Sequence, residues 1–80
     1  MSKRFPTANY KDVIRIAKKL GFYFSSEGPG SHEIWRRNSD NQRITVPNHG
    51  KKDIKRKTLK SIITDFGISS EKFIKLRKGK

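Results

Sequence analysis

Two histidines, each in a turn beside basic residues, are the side chains of this sequence best suited to chemistry. His32 follows a Gly-Pro-Gly turn at positions 28–30, and His49 lies in a second turn with Lys51 and Lys52 directly behind it. Histidine has the unperturbed pKa nearest to neutrality, and lysine and arginine bind phosphate. We therefore predict that an imidazole here moves a proton beside a phosphodiester.

His32 is the first candidate for a catalytic residue. The glycines before it allow a substrate to approach the backbone closely. A general base for RNA cleavage needs a fixed position and a pKa near the working pH, because it must take the proton from a 2′-hydroxyl. A strand-end histidine without a chemical role is the alternative. Ser31, directly before it, is kept as a possible auxiliary residue.

His49 is the second candidate, and the residues leave its role open. It could be a second acid, a phosphate contact or an orienting group, and backbone N–H groups around Gly50 could help to hold a phosphate. The alternative is a loop histidine that packs against the basic turn or caps it.

The densest run of basic residues follows His49 and leads into a predicted helix. A charge run is usually a solvated face, but this one adjoins the His49 turn, so we predict phosphate contacts, which position a nucleic acid without reading its sequence. The predicted RNA-binding residues are Arg36, Arg37, Lys51, Lys52, Lys55, Arg56, Lys57 and Lys60.

The composition also favours a polyanionic partner. Twenty lysines and arginines against seven acidic residues give a formal net charge of +13 over 80 residues. A small domain this basic repels itself unless a polyanion is near, and nucleic acid is the first candidate. An anionic membrane surface, an acidic protein partner, or a charge that serves only solubility are the alternatives.

Other chemistries lack their residues. The chain has no cysteine, so disulfides and Cys-type zinc sites are excluded. Two distant histidines with scattered carboxylates have no metal-ligand spacing, no Gly-rich nucleotide loop is present, and the serines lack a nucleophile elbow. We therefore expect a metal-independent mechanism without a cofactor. Because neither a signal peptide nor an apolar run of membrane-spanning length is seen, the expected location is the cytoplasm.

The first element that must position these residues is a helix, which follows a flexible basic start at residues 1–6. Asn9 caps the helix, Asp12 lies in its first turn, and Gly21 ends it. Apolar residues recur at helical spacing between these ends, and basic residues take the other side.

Strand patterns occupy the middle of the chain, over residues 22–27, 31–37 and 43–46. Short loops between them imply an antiparallel meander. The two-residue period separates His32, Ile34 and Arg36 from the alternate residues. We expect the large apolar side chain of Trp35 to point inward and His32 to point outward.

A basic loop over residues 48–57 leads to the second predicted helix. Its apolar residues are spaced i, i+3, i+4 and i+7, and Gly67 ends it. Ser69 or Ser70 caps a short last helix, and residues 77–80 are expected to fray. The predicted fold is α+β in the order α-β-β-β-α, with two helices on one face of the sheet and a short C-terminal helix. We expect one domain over residues 1–80, with an ordered core at about 9–76.

The sequence resembles the HicA toxin family, once called YcfA-like, over roughly residues 10–76. Several motifs occur in the order typical of that family. They are Lys11-Asp12-Val13-Ile14, Leu20-Gly21-Phe22, Gly30-Ser31-His32, Ile44-Thr45-Val46-Pro47-Asn48-His49-Gly50, Thr58-Leu59-Lys60-Ser61-Ile62-Ile63 and Gly67-Ile68-Ser69.

The resemblance implies a small bacterial ribonuclease that cuts mRNA and arrests translation. It also implies a HicB-type antitoxin as partner and a fold like that of a double-stranded-RNA-binding domain. The catalytic histidine of the family lies in its Gly-Ser-His motif, which corresponds to His32 here.

Two departures from the family pattern bear on these expectations. Where the family often has Lys-Pro-Gly-Thr-Leu, this chain has Lys-Arg-Lys-Thr-Leu at residues 55–59, which predicts a longer helix or a more basic loop. The Gly-Pro insertion at residues 28–29 resembles the turn that double-stranded-RNA-binding domains press into a minor groove. A non-catalytic module for double-stranded or structured RNA is therefore the alternative function.

Overall fold

Three antiparallel strands stand between helices in the chain, as the sequence predicts. The structure is a computed structural model, and it describes residues 5–79. The elements are α1 (Tyr10–Lys19), β1 (Tyr23–Glu27), β2 (His32–Arg37), β3 (Gln42–Pro47), α2 (Arg56–Phe66) and α3 (Ser70–Lys78). This α+β arrangement confirms the predicted order and the predicted C-terminal helix. Among the described residues, no helix has both the length and the apolar character that a bilayer crossing needs.

The start of α1 is fixed by a reciprocal pair of hydrogen bonds. The amide of Asp12 donates to Oδ1 of Asn9 at 3.0 Å, and the amide of Asn9 donates to Oδ2 of Asp12 at 3.2 Å. Each bond satisfies a backbone donor that a helix start leaves without a partner. Gly21 follows the end of the helix with a φ of 92°. Both predicted ends of α1 are therefore confirmed.

The sheet has the strand order β1-β2-β3, and its register decides which side chains share a face. Trp35 lies opposite Ile44, and Glu33 lies opposite Val46. Trp35 is only 4% exposed, whereas His32 is exposed to solvent. The expectation that Trp35 points inward and His32 outward is confirmed.

The core forms between the Trp35 face of the sheet and the helices. Phe66 of α2 packs between Phe22 and Phe73, with ring centroids 5.5 Å and 6.5 Å away. The cluster draws on all three helices, on β2 and β3, and on the segments that connect them. Its buried members are Ala8, Val13, Ile16, Ala17, Phe22, Trp35, Ile44, Val46, Ile54, Leu59, Ile62, Ile63, Phe66 and Phe73.

Each strand boundary lies within one residue of the prediction, but two helix boundaries differ by more. The loop expected to run to residue 57 ends earlier, because α2 begins at Arg56. The chain has no proline or glycine there, so the helix extends back to Arg56. The end expected to fray is helical through Lys78, since Arg77 contacts α1.

The predicted flexible start at residues 1–6 falls largely outside the described residues, which begin at Phe5. That residue differs from the prediction, because it packs against the core. The guanidinium of Arg56 lies 5.4 Å from the centre of its ring. Lys80, part of the predicted frayed end, also lies outside the described residues.

Candidate active site

The turn between β1 and β2 holds the imidazole of His32 in a defined orientation. The amide of Gly28 donates to the carbonyl of His32 at 2.8 Å, and Gly30 has a φ of 66°, which favours glycine. Nδ1 of His32 lies 3.1 Å from the carbonyl oxygen of Pro29. Because a carbonyl oxygen only accepts, this hydrogen bond requires the proton on Nδ1. In the neutral ring, Nε2 then carries the free lone pair.

The turn that carries His49 is joined to the His32 turn by the backbone. The amide of Asn48 donates to the carbonyl of Ser31 at 2.7 Å, and the amide of Lys52 donates to the carbonyl of His49 at 3.3 Å. Farther along, the amide of Ile54 bonds the carbonyl of Ala8 at 2.8 Å, and the Ile54 side chain is buried. The second turn is thus tied to the sheet at one end and to the core at the other.

Both histidines line one cleft of about 410 Å³ at this end of the sheet. Two of the predicted RNA-binding residues, Lys52 and Lys55, line it with them. Its other lining residues are Pro47, Asp53, Ile54 and Thr58. Within residues 5–79, His, Asp and Glu side chains form no group of three that could hold a metal ion. The roles of the two histidines and two lysines stay predictions, but the fold brings the four together.

The N-terminus of α2 borders this cleft and is positively charged throughout. Lys55 occupies the N-cap position, but its side chain makes no capping hydrogen bond. The first turn contains no acidic residue. Arg56 and Lys57 stand there instead. A helix N-terminus carries a partial positive charge and unpaired N–H groups, so cations at this place are unfavourable and an anion is favourable.

A second cleft, of about 380 Å³, starts at His32 and follows the seam between β3 and α2. Arg43 and Thr45 line it from the strand, and Ser61 and Asp65 line it from the helix. It shares three residues with the first cleft, which are His32, Pro47 and Thr58. His32 therefore lies where the two clefts meet.

Arg43 is a site residue that the sequence reasoning missed. Sequence reasoning treated Arg43 only as part of a short strand. Its alternation with the buried Ile44 and Val46 already places its side chain on the opposite face of the sheet from theirs. Arg36 lies directly opposite it on β2. The alternation of residues along β3 was therefore sufficient to place Arg43 on the outer face of the sheet.

Other predicted RNA-binding residues lie elsewhere, and Arg37 is the clearest case. Its Nε and Nη2 donate to the Asp40 carboxylate at 3.0 Å and 2.7 Å, and its Nη1 donates to the carbonyl of Leu20 at 3.0 Å. The hydrogen bonds between the two side chains raise the pKa of Arg37 and hold the pKa of Asp40 below its ordinary value. The guanidinium also lies 4.5 Å from the ring centre of Phe22. The Arg37 side chain is therefore held by contacts within the protein.

The remaining predicted residues are divided among different surfaces. Lys57 and Lys60 line a separate cleft on α2, and Lys51 is exposed in the His49 turn without lining the cleft of the two histidines. Ser31 lines a smaller cleft together with His32, beside Glu27 and Glu33.

Glu33 stabilises the strand directly behind His32, which the sequence reasoning also missed. Its Oε1 accepts hydrogen bonds from the Tyr10 hydroxyl at 2.7 Å and from Nε1 of Trp35 at 3.1 Å. Burial, together with the Glu33 hydrogen bond and charge, raises the pKa of Tyr10 to about 12. The network joins α1 to β2 and so fixes the start of the strand that carries His32.

Comparison with known families covers most of this fold. The sequence matches a family model described as HicA toxin of bacterial toxin-antitoxin over residues 10–68. A search of curated proteins found no match. The matched range extends from α1 through α2, and it includes both histidine turns and both clefts. The chain therefore belongs to the HicA toxin family, a family of toxins from bacterial toxin–antitoxin systems.

Proposed function

We propose that this toxin is an endoribonuclease that cleaves mRNA by metal-independent acid–base chemistry, and that a HicB-type antitoxin neutralises it. The observation that carries the proposal is the placement of His32. Its ring is exposed at the junction of two clefts, and the hydrogen bond to Pro29 turns the basic Nε2 away from the turn. Family membership supports the same activity.

The reaction begins when Nε2 of His32 takes the proton of a ribose 2′-hydroxyl. The 2′-oxygen attacks the adjacent phosphorus, and the bond from phosphorus to the 5′-oxygen of the next nucleotide breaks. That leaving oxygen must gain a proton, and His49, which lines the same cleft, is the proposed donor. The products are a 2′,3′-cyclic phosphate and a 5′-hydroxyl, so every atom is accounted for without water or a redox step.

The negative charge that develops on the phosphorane needs fixed positive groups nearby. Lys52 and Lys55 line the cleft, and the first turn of α2 adds its partial charge. Groups that are already in place stabilise a transition state most effectively, because they need no reorganisation during the reaction. The unfavourable clustering of cations at the start of α2 is relieved once a phosphate binds.

The direct test compares His32→Ala with the unchanged protein in RNA cleavage assays that contain EDTA. We expect the rate to fall by about 10²–10⁴-fold, the usual contribution of a general acid or base. Lys18→Gln is the matched control, because Lys18 is exposed on α1, and it should cleave at the normal rate. Undiminished cleavage by the folded His32→Ala protein would remove the proposal.

A non-catalytic module for double-stranded RNA is the rival function, and one observation favours it. The Gly-Pro turn at residues 28–29 contacts His32, which lines the same cleft as Lys55 at the basic start of α2. A protein of this kind would bind a duplex tightly and leave single-stranded RNA intact over hours. The EDTA assay with unpaired RNA therefore separates the two functions.

The antitoxin is proposed to cover the cleft of the two histidines. A net charge of +13 favours an acidic partner, and a partner seated there would exclude RNA and bury His32. We expect that adding the antitoxin slows the chemical modification of His32 by diethylpyrocarbonate and displaces bound RNA. An antitoxin that leaves His32 fully reactive would bind elsewhere.

A further inference from the structure

Arg36 and Arg43 form a pair of like charges on the outer face of the sheet. They lie directly opposite each other on β2 and β3, and both side chains are exposed. Within residues 5–79, neither makes an ion pair or a side-chain hydrogen bond, although Asp65 lines the same cleft as Arg43. Like charges at opposed positions of a sheet are destabilising. Folding therefore gains nothing from this pair.

The pair lies on the same face of the sheet as His32. Residues four apart along a strand are separated by roughly 13 Å and point the same way, so Arg36 stands that far from His32 on β2. The seam cleft runs from His32 to Arg43 over Thr45. A few nucleotides of extended RNA would span this distance.

Tyr23 completes a row across the three strands. It lies opposite Arg36 on β1, on the side away from Arg43, and it is 43% exposed. Its hydroxyl bonds Oδ1 of Asn38 at 3.0 Å, which fixes the edge of the ring. An aromatic ring beside cations is the combination with which proteins hold single-stranded nucleic acid, because the ring stacks on an unpaired base and the cations bind the backbone.

We infer that the RNA substrate lies across this outer face as a single strand, with Arg36 and Arg43 binding a phosphate a few nucleotides from the bond that is cut. The inference rests on the proposed function for the bond at His32, and it adds the substrate class. A base that stacks on Tyr23 must be unpaired, so the toxin binds and cuts unpaired stretches of mRNA. A duplex keeps its bases stacked inside and offers none to the ring.

The test measures binding rather than cleavage, so that it does not depend on the chemistry. All proteins carry His32→Ala, and the probes are a fluorescent oligouridylate and an RNA duplex of the same strand length. Arg36→Gln/Arg43→Gln is compared with Lys18→Gln/Lys72→Gln, which removes the same charge from exposed positions on α1 and α3.

We expect the arginine variant to bind the single strand at least about tenfold more weakly than the lysine control. The slope of log affinity against log salt should become shallower by roughly 0.7, the value for one phosphate that is no longer neutralised on a single strand. Tyr23→Leu should weaken single-strand binding by about fivefold or more, since stacking on one base is lost. Binding of the duplex should change no more than in the control.

Three results would overturn the inference. The first is equal weakening by the arginine and lysine variants on the oligouridylate. The second is an equal loss on the duplex. The third is loss of antitoxin binding with RNA binding intact, which would assign the pair to a protein partner. Failure of the proposed function has a different readout, because it appears as cleavage that survives His32→Ala, whatever the binding data show.

Discussion

The positive charges of this toxin fall into two regions with opposite surroundings. Between α1 and α3, several cations have partners: Nη2 of Arg15 donates to the carbonyl of Arg77 at 2.7 Å, and Nζ of Lys19 donates to the carbonyl of Gly79 at 3.1 Å. Asp12 lies 3.9 Å from Arg15 and 3.6 Å from Arg77. Around His32, the cations lack such partners within residues 5–79. They are Arg36, Arg43, Lys52 and Lys55.

The cations on the α1–α3 side are bound within the fold, whereas those around His32 are proposed to bind a ligand. On the α1–α3 side, carbonyls at the end of α3 and one carboxylate bind the cations, as helix ends require. On the His32 side, cations gather at a helix N-terminus and at opposed strand positions, where each arrangement costs stability. Departures from local rules of this kind are expected at functional sites. A polyanion is the partner that would compensate them.

The largest expected effect concerns the helix that lies beyond the family-matched range. Phe73 of α3 is fully buried and stacks near Phe66. Phe73→Ala should lower the free energy of unfolding by about 3–5 kcal/mol, because the core loses the ring and keeps a cavity. Urea unfolding followed by tryptophan fluorescence measures it. A loss under 1 kcal/mol would mean that α3 is dispensable for the core.

A smaller loss of stability is expected when Asp12, which contacts arginines on both α1 and α3, is replaced. Asp12→Ala removes half of the capping box and both arginine contacts, so we expect a loss of about 1–2 kcal/mol in the free energy of unfolding. Asp65→Ala is the control, because Asp65 lies near the C-terminus of α2, where an acid is unfavourable. RNA affinity should stay unchanged in folded Asp12→Ala, because Asp12 lies outside both clefts. If the two variants were equally stable, Asp12 would not stabilise the α1–α3 side, and the contrast between the two regions would be wrong.

The Tyr10–Glu33 network predicts a specific dependence of stability on pH. Folding raises the pKa of Tyr10 from 10.0 to about 12, so the hydroxyl contributes fully below pH 10, and the contribution is lost as the pH rises from 10 towards 12. Tyr10→Phe should cost about 1 kcal/mol at neutral pH and should flatten this alkaline decline. Thermal unfolding at pH 8, 10 and 11 tests it. A decline of the same size in both proteins would contradict the network.

The smallest effect is expected where the charges repel. Arg36→Gln/Arg43→Gln should leave the midpoint of thermal unfolding unchanged or slightly raise it, since the like-charge pair is removed. Arg37→Gln, which breaks the bonds to Asp40 and Leu20, should lower it. A clear drop in the Arg36/Arg43 variant would show that the pair stabilises the fold.

Sequence reasoning identified the elements because their signals are local. Asn9, Asp12 and Gly21 fix the ends of α1 through their own backbone contacts, and the two-residue period gave the inward position of Trp35. The site required contacts between distant segments. The carbonyl of Pro29 that orients His32 and the meeting of His32 with His49 depend on how two turns dock.

Arg36 and Arg37 show the same limit of prediction from sequence. Arg37 and Arg36 are neighbours of equal type, and the sequence reasoning placed both at the RNA. The register puts Arg37 on the helix-covered face, where Leu20 and Asp40 bind it, and puts Arg36 opposite Arg43 on the open face. Which face a charge shares with His32 could be read from the period, but which charges have partners could not.

The end groups of cleaved RNA test the central claim most directly, because they report which oxygen attacks the phosphorus. The account predicts fragments with 2′,3′-cyclic phosphate and 5′-hydroxyl ends from the unchanged toxin in EDTA, and intact RNA from folded His32→Ala. Fragments with 5′-phosphate ends, or the same fragments from both proteins, would contradict it.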